Sequence, residues 1–146
     1  MLSNSCRYGI RAVMYLAKQP AGNGKTGIKQ ISKDLNLPTP FLAKILQQLA
    51  KQKILDSLKG PHGGFSLMKD PKKITLLEIV RTIDGDGIFT NCIIHNDTCS
   101  NVNKHKDTCA LHDGYSQVRS ELIELFRSRT INDLVQKTVG SEKIVI

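Results

Sequence analysis

The stretch Leu37-Pro38-Thr39-Pro40-Phe41-Leu42-Ala43-Lys44-Ile45-Leu46-Gln47-Gln48-Leu49-Ala50-Lys51 reads as one short helix with two unlike faces. Phe41, Leu42, Ile45, Leu46 and Leu49 recur at helical spacing and make an apolar stripe. Thr39, Ala43, Lys44, Gln47, Gln48 and Lys51 fall on the other side. Thr39 suits the N-cap, and Pro40 suits the first helical position, where its missing N–H is an orphan anyway. The outward face is small, polar and positive, and the run holds no carboxylate. Such a face can enter a DNA major groove without repelling phosphate. An ordinary amphipathic surface helix shows the same stripe, so the flanking segments decide between the two.

Upstream, Ser3-Asn4-Ser5 can cap a first helix that runs to about Lys18 with Ile10, Val13, Met14 and Ala17 inward. Pro20-Ala21-Gly22-Asn23-Gly24 breaks it. A short helix over Ile28 to Leu35 buries Ile28, Ile31 and Leu35, and Asn36 through Pro38 turn into the opening helix. This is the order of a helix-turn-helix. Downstream, Ile54–Leu58 and Phe65–Met68 are strand-like runs flanking Lys59-Gly60-Pro61-His62-Gly63-Gly64, which predicts a β-hairpin. Placed directly after a recognition helix, it is a wing, with Lys59 and His62 at a tip able to reach phosphate or a minor groove. The expected fold class is therefore mainly α with a small β-hairpin wing, a winged helix-turn-helix domain.

Ile74–Ile83 predicts a further helix, with Thr75 as cap and Glu78 completing a capping box. Asp84-Gly85-Asp86-Gly87 stops it, and a polar loop from about Phe89 to Leu111 carries three of the four cysteines. A long helix from about Asp113 to Arg129 repeats Tyr115, Val118, Leu122 and Leu125 in steps of three and four, a coiled-coil seam. Leu111, Ile123 and Phe126 widen it. Such a seam predicts a two-fold homodimer that sets two recognition helices on a two-fold site, the rival being a helix packed back on its own domain. Thr130 caps a last short helix to about Val139. The expected organisation is a DNA-binding domain over 1–84, a cysteine sensor loop over 85–112, a dimerisation helix and short C-terminal helix over 113–139, and a tail over 140–146.

The chain has 146 residues and a formal charge of +8, enough for one core with an appendage and favouring a polyanionic partner. It has no membrane-length apolar run and no signal-peptide centre, so the expected location is the cytoplasm. Four cysteines there are thiols, metal ligands or redox groups before they are structural disulfides. No phosphate-cradling glycine loop, nucleophile elbow or paired carboxylates argue for an enzyme.

Six residues separate Cys92 from Cys99, nine separate Cys99 from Cys109, and His112 follows Cys109 after two. Iron–sulfur clusters take thiolates, with histidine as a substitute. Structural zinc usually wants a close Cys pair, and there is none here. A redox disulfide is a third option. Cys6, far off in the first helix, reads as a small buried hydrophobe.

Cys6-Arg7-Tyr8-Gly9-Ile10-Arg11-Ala12 with Leu16-Ala17, the Phe41-Leu42…Leu46…Leu49 helix, and the wing Lys59-Gly60-Pro61-His62-Gly63-Gly64-Phe65 resemble the bacterial IscR/NsrR/CymR winged-helix regulators. The wing is the most specific part. The family's loop reads arginine-glycine-proline, any residue, glycine-glycine and an aromatic, and this chain has Lys59 for the arginine. The resemblance implies a homodimeric transcription factor, usually a repressor, acting on a double-stranded DNA operator. In many members it also implies an iron–sulfur cluster, two-iron or four-iron, on three cysteines. Those positions match Cys92, Cys99 and Cys109, and His112 stands where the iron–sulfur assembly regulator has its ligand histidine. The gap between the second and third cysteines is longer here than usual. Members without these cysteines bind no cluster, so a cluster-free regulator sensing thiol oxidation or a protein partner is the alternative. Ala43 and Lys44 replace that regulator's base-reading glutamate and glutamine, so its operator does not transfer. The candidate DNA contacts are Thr39, Lys44, Gln47, Gln48, Lys51, Lys59 and His62.

Overall fold

The computed structural model describes residues 1–20, 24–104 and 109–138. The expected tail over 140–146, part of the Pro20–Gly24 break, and His105 and Asp107 of the cysteine loop lie outside them. Helix α1 spans Asn4–Lys18, capped by the Ser3 hydroxyl, which accepts from Cys6 N. Helices α2 (Ile28–Leu35) and α3 (Thr39–Lys51) follow, then strands β1 (Leu55–Leu58) and β2 (Gly64–Leu67). Helix α4 (Leu76–Asp84) comes after a short 3-10 turn, then a single-turn α5 (Gly87–Thr90) and α6 (Cys99–Lys104). A long α7 (His112–Ser128) and a short α8 (Ile131–Lys137) close the order.

The helix-turn-helix is pinned from three sides. Asn36 takes the left-handed conformation at the end of α2, where its short polar side chain makes that conformation tolerable. Arg11 of α1 donates from Nη2 to the Leu35 carbonyl at 3.0 Å, satisfying an orphan acceptor of α2. The buried Ser32 hydroxyl lies 2.5 Å from the Leu37 carbonyl and 2.7 Å from Thr39 Oγ1. Behind this turn, Val13, Met14, Ile31, Leu42, Leu46, Leu49, Ile54 and Ile79 form one fully buried core. At Gly9, a Cβ would stand 2.3 Å from Ile83 Cδ1 and 3.2 Å from Ile45 Cγ2, so any larger residue would make the end of the Ile83 side chain move.

The hairpin pairs Leu55 with Leu67 and Leu58 with Gly64 in antiparallel register. It has a third participant that the sequence pattern does not reveal. Thr26 N donates to the Phe65 carbonyl, and Phe65 N donates back to Thr26, both at 2.9 Å. A Cβ on Gly64, at φ +156°, would stand 2.3 Å from the Thr26 carbonyl oxygen, which is why glycine ends the wing loop.

Helix α7 sends Leu122, Ile123 and Phe126 onto the same core, where Phe126 meets Phe89 edge to face with centroids 6.0 Å apart. Chain direction then reverses. Ile131 N donates to the Ile74 carbonyl and Leu76 N to that of Arg129, both at 2.9 Å, and Ile131 is fully buried. Thr130 and Asp133 make a complete capping box for α8. The box expected at α4 is only half made. Thr75 accepts from Glu78 N, but the Glu78 carboxylate pairs with Lys69 instead of turning back.

Candidate functional site

Two regions carry the candidate residues. The first is the outer face of α3 with the wing. Lys44, Gln47 and Lys51 are exposed there as the periodicity predicts, and Lys59 and His62 are exposed at the wing tip. A groove of about 430 Å³ between them is lined by Gln47, Lys51, Ser57, Lys59 and Phe65. Four local details differ from expectation. Pro38 is the N-cap and makes no side-chain cap bond, while Thr39 is the first helical residue and Pro40 the second. The Thr39 hydroxyl is held by Ser32 inside the turn. Gln48, though exposed, donates from Nε2 to the Thr82 carbonyl of α4 at 2.6 Å, so its amide ties α3 to α4 at the surface. Phe41 leaves the apolar stripe and is 65% exposed on the outward side. It sits at the edge of the stripe, where the neighbouring element decides what is covered, and no described residue covers it.

The second region is the cysteine segment, which is partly helical rather than a plain loop. Cys92 follows α5, Cys99 opens α6, and Cys109 precedes α7. All three are buried, at 8%, 4% and 9% exposure, and with Val102 they form a patch separate from the main core. Cys92 Sγ lies 3.9 Å from Cys109 Sγ and 3.2 Å from His95 Nδ1. Arg119 of α7 donates from Nη2 to Cys99 Sγ at 2.7 Å and stacks on Tyr115, its guanidinium carbon 4.9 Å from the ring centroid. Its Nε is buried with no hydrogen-bond partner among the described residues. The backbone and ring of His95, then the Ile94 backbone, hold the Cys92 thiol down at about 6. Cys6 is the opposite case: burial first, then the Asp84 carboxylate, pushes it up to about 12. It is fully buried in the main core, as a small hydrophobe.

The donor atoms of Cys92, His95 and Cys109 all lie within 4.8 Å of one another. His112, the histidine expected as a ligand, is the first residue of α7, and its backbone N–H donates to the Cys109 carbonyl at 2.8 Å. The spacing Cys-x-x-His occurs twice, at Cys92/His95 and at Cys109/His112. Sequence reasoning singles out only the second, although the first carries the same signal.

On α7 the expected seam is divided. Leu122 leans on its own core, Tyr115 carries Arg119, and Val118 and Leu125 are exposed at 57% and 48%. Leu111, Val118 and Leu125, seven residues apart, form an exposed apolar line. No helix among the described residues is long and apolar enough to cross a membrane.

Comparison with known proteins agrees with this geometry. The Rrf2 family, described as an iron-dependent transcriptional regulator, matches residues 2–137. An HTH-type transcriptional regulator of Aquifex aeolicus is 33% identical over 135 residues, covering 92% of this chain and 91% of that protein. NsrR of Shouchella clausii is 24% identical over 140 residues, covering 92% of this chain and 87% of that protein. Among solved structures, CymR, described as the global cysteine regulator of B. subtilis, superposes with a TM-score of 0.75 at 25% identity, over 94% of this chain and 98% of that one.

Proposed function

The chain belongs to the Rrf2 family of DNA-binding transcriptional regulators, and on that premise we propose that it is a cytoplasmic homodimeric repressor whose hold on operator DNA is set by an iron–sulfur cluster. The family consists of regulators, and the chain is one rather than an enzyme. The observation that carries the cluster reading is the convergence of Cys92, Cys99 and Cys109 in one buried patch tied to α7 through Arg119. These residues fit the group. Three soft sulfur donors and an imidazole are a donor set for iron–sulfur or zinc, and Arg119 offers a buried N–H that has no acceptor among the described residues. Bound there, a cluster supplies a centre that oxidants, nitric oxide or iron limitation can dismantle. Everything else is done by the chain. The thiols order the segment, Arg119 transmits that order to α7, and the exposed line Leu111, Val118 and Leu125 meets a second copy. The spacing of two α3 helices follows. A coupling of about 1–3 kcal/mol between loop and DNA face is the usual scale.

On DNA, Lys44 and Lys51 supply phosphate or guanine contacts and Gln47 an adenine contact, with Lys59 and His62 following the adjacent groove. Phe41 adds an apolar edge suited to a thymine methyl. Thr39 and Gln48 act by holding α3 rather than by touching bases.

The deciding experiment is an anaerobic absorption spectrum with iron and sulfide analysis, on the wild type and on the Cys92/Cys99/Cys109→Ala triple variant, followed by operator binding of each. Visible charge-transfer bands that vanish in the variant, with a changed operator affinity, support the reading. A colourless, iron-free wild type after reconstitution sinks it. A second reading is favoured by the 3.9 Å approach of Cys92 and Cys109. In a cluster-free sensor the two thiols would give two electrons and two protons to a hydroperoxide, releasing an alcohol and water and joining the sulfurs.

A further inference from the structure

The segment from Cys92 to Thr98 is a closed loop. Cys92 N donates to the Asp97 carbonyl at 2.8 Å, and Asn91 pairs with Thr98 in an antiparallel bridge. Inside it, the exposed His95 folds back so that Nδ1 stands 3.2 Å from Cys92 Sγ. A hydrogen bond between imidazole and thiol would explain that approach by itself. It does not explain Cys109, which comes from the far side of α6, seventeen residues on, and brings its sulfur to 3.9 Å from the same Cys92 Sγ. Two sulfurs and one nitrogen from two separate segments thus surround one point, with every donor atom within 4.8 Å of the others. Two thiolates with an imidazole are a donor set that soft and borderline divalent metals and iron–sulfur clusters accept.

His112 has the same sequence spacing from Cys109 as His95 has from Cys92, but it follows Cys109 into the first turn of α7. Among the described residues, the one group of three such donors contains His95 and not His112. The third thiol, Cys99, shares the buried patch and directs its sulfur to the Arg119 guanidinium. The closed loop also holds Cys92 and His95 together as one chelate, which lowers the ordering cost of binding.

We propose that His95 supplies the nitrogen ligand of the metal centre at these cysteines, together with Cys92 and Cys109, and that His112 stands outside the ligand set. This deepens the reading above and rests on it for placing a metal centre at these thiols.

The test uses cobalt(II) as the probe on the full-length, metal-free chain under anaerobic conditions, comparing wild type, His95→Ala, His95→Cys and His112→Ala. Binding is followed through the sulfur-to-cobalt charge-transfer band and the visible ligand-field bands. Wild type and His112→Ala should bind alike. His95→Ala should bind about 10-fold or more weakly, since even residues one shell out from a metal commonly cost that much. His95→Cys should restore affinity with stronger charge transfer, which a merely structural histidine would not do. Because His95 is exposed, the metal-free variants should keep the cooperative thermal transition of wild type, with only the small shift expected from losing the ring contact to Cys92. Cobalt binding lost in His112→Ala and kept in His95→Ala would overturn the assignment, as would equal binding by all four chains or no binding by wild type. Cobalt binding that depends on His95, in a protein that never reconstitutes an iron–sulfur chromophore, would end the cluster reading and leave His95 a metal ligand.

Discussion

The winged-helix domain and the cysteine segment each have a buried cluster, made of different materials. In the first, aliphatic side chains from α1, α2, α3, α4 and α8 interlock around Met14, Leu46 and Ile79. In the second, the patch among the described residues is three cysteines and Val102. Apolar area removed from water stabilises by about 25 cal/mol per Å², so the first region holds itself together, whereas a patch of three sulfurs and one valine removes little such area. The difference teaches where a switch can sit. A segment whose order depends on what its thiols hold is the one whose order a chemical signal can change.

The two regions should differ most in thiol chemistry. In metal-free protein at neutral pH, iodoacetamide should label Cys92 and leave the fully buried Cys6 unlabelled, a rate difference of orders of magnitude readable by mass spectrometry. Cys92 labelling should be flat from pH 7 to 9, where an ordinary thiol still accelerates, and should fall as pH drops through about 6. The sign for stability follows from the same shift. A thiol held below its usual 9 favours the folded segment above that value, and the gain is lost as pH falls from 9 through about 6. Equal labelling of Cys6 and Cys92 would erase the contrast.

Packing should come next. Leu46→Ala, at a fully buried site, should cost about 2–5 kcal/mol in urea unfolding, whereas Val102→Ala should cost under about 1 kcal/mol. Similar losses at both would show that the cysteine segment has a core after all. The smallest contrast is one of sign. Gly64→Ala drives a Cβ against the Thr26 carbonyl and should lose about 1–3 kcal/mol. Gly114→Ala, within α7 and with nothing within 4 Å of its Cβ position, should gain about 0.5–1 kcal/mol. A loss at Gly114 would mean that this turn of α7 is packed against something beyond the described residues.

Local pattern alone determined a good deal here. The 3.6-residue stripe of α3, the Asn36–Pro38 turn and the glycines of the wing loop are enough to specify a winged helix, because periodicity and φ preference act over a few residues. The same holds for the solvent-facing positions Lys44, Gln47, Lys51, Lys59 and His62, which lie at the centre of an exposed face or at a loop tip. Residues at the edge of a face were decided elsewhere. Phe41 is left in solvent while Gln48 finds the Thr82 carbonyl, because only the position of α4 determines which edge is covered. Leu122 belongs to a sequence seam yet leans on the core, because α7 is drawn in by Ile123 and Phe126 against Phe89. Thr26 becomes a third strand partner through two backbone bonds to a residue 39 positions away, which no local preference encodes. His95 and His112 are equal in spacing, and the tertiary fold treats them differently: a closed loop brings the His95 imidazole to the Cys92 sulfur, whereas His112 opens α7 with its backbone N–H on the Cys109 carbonyl.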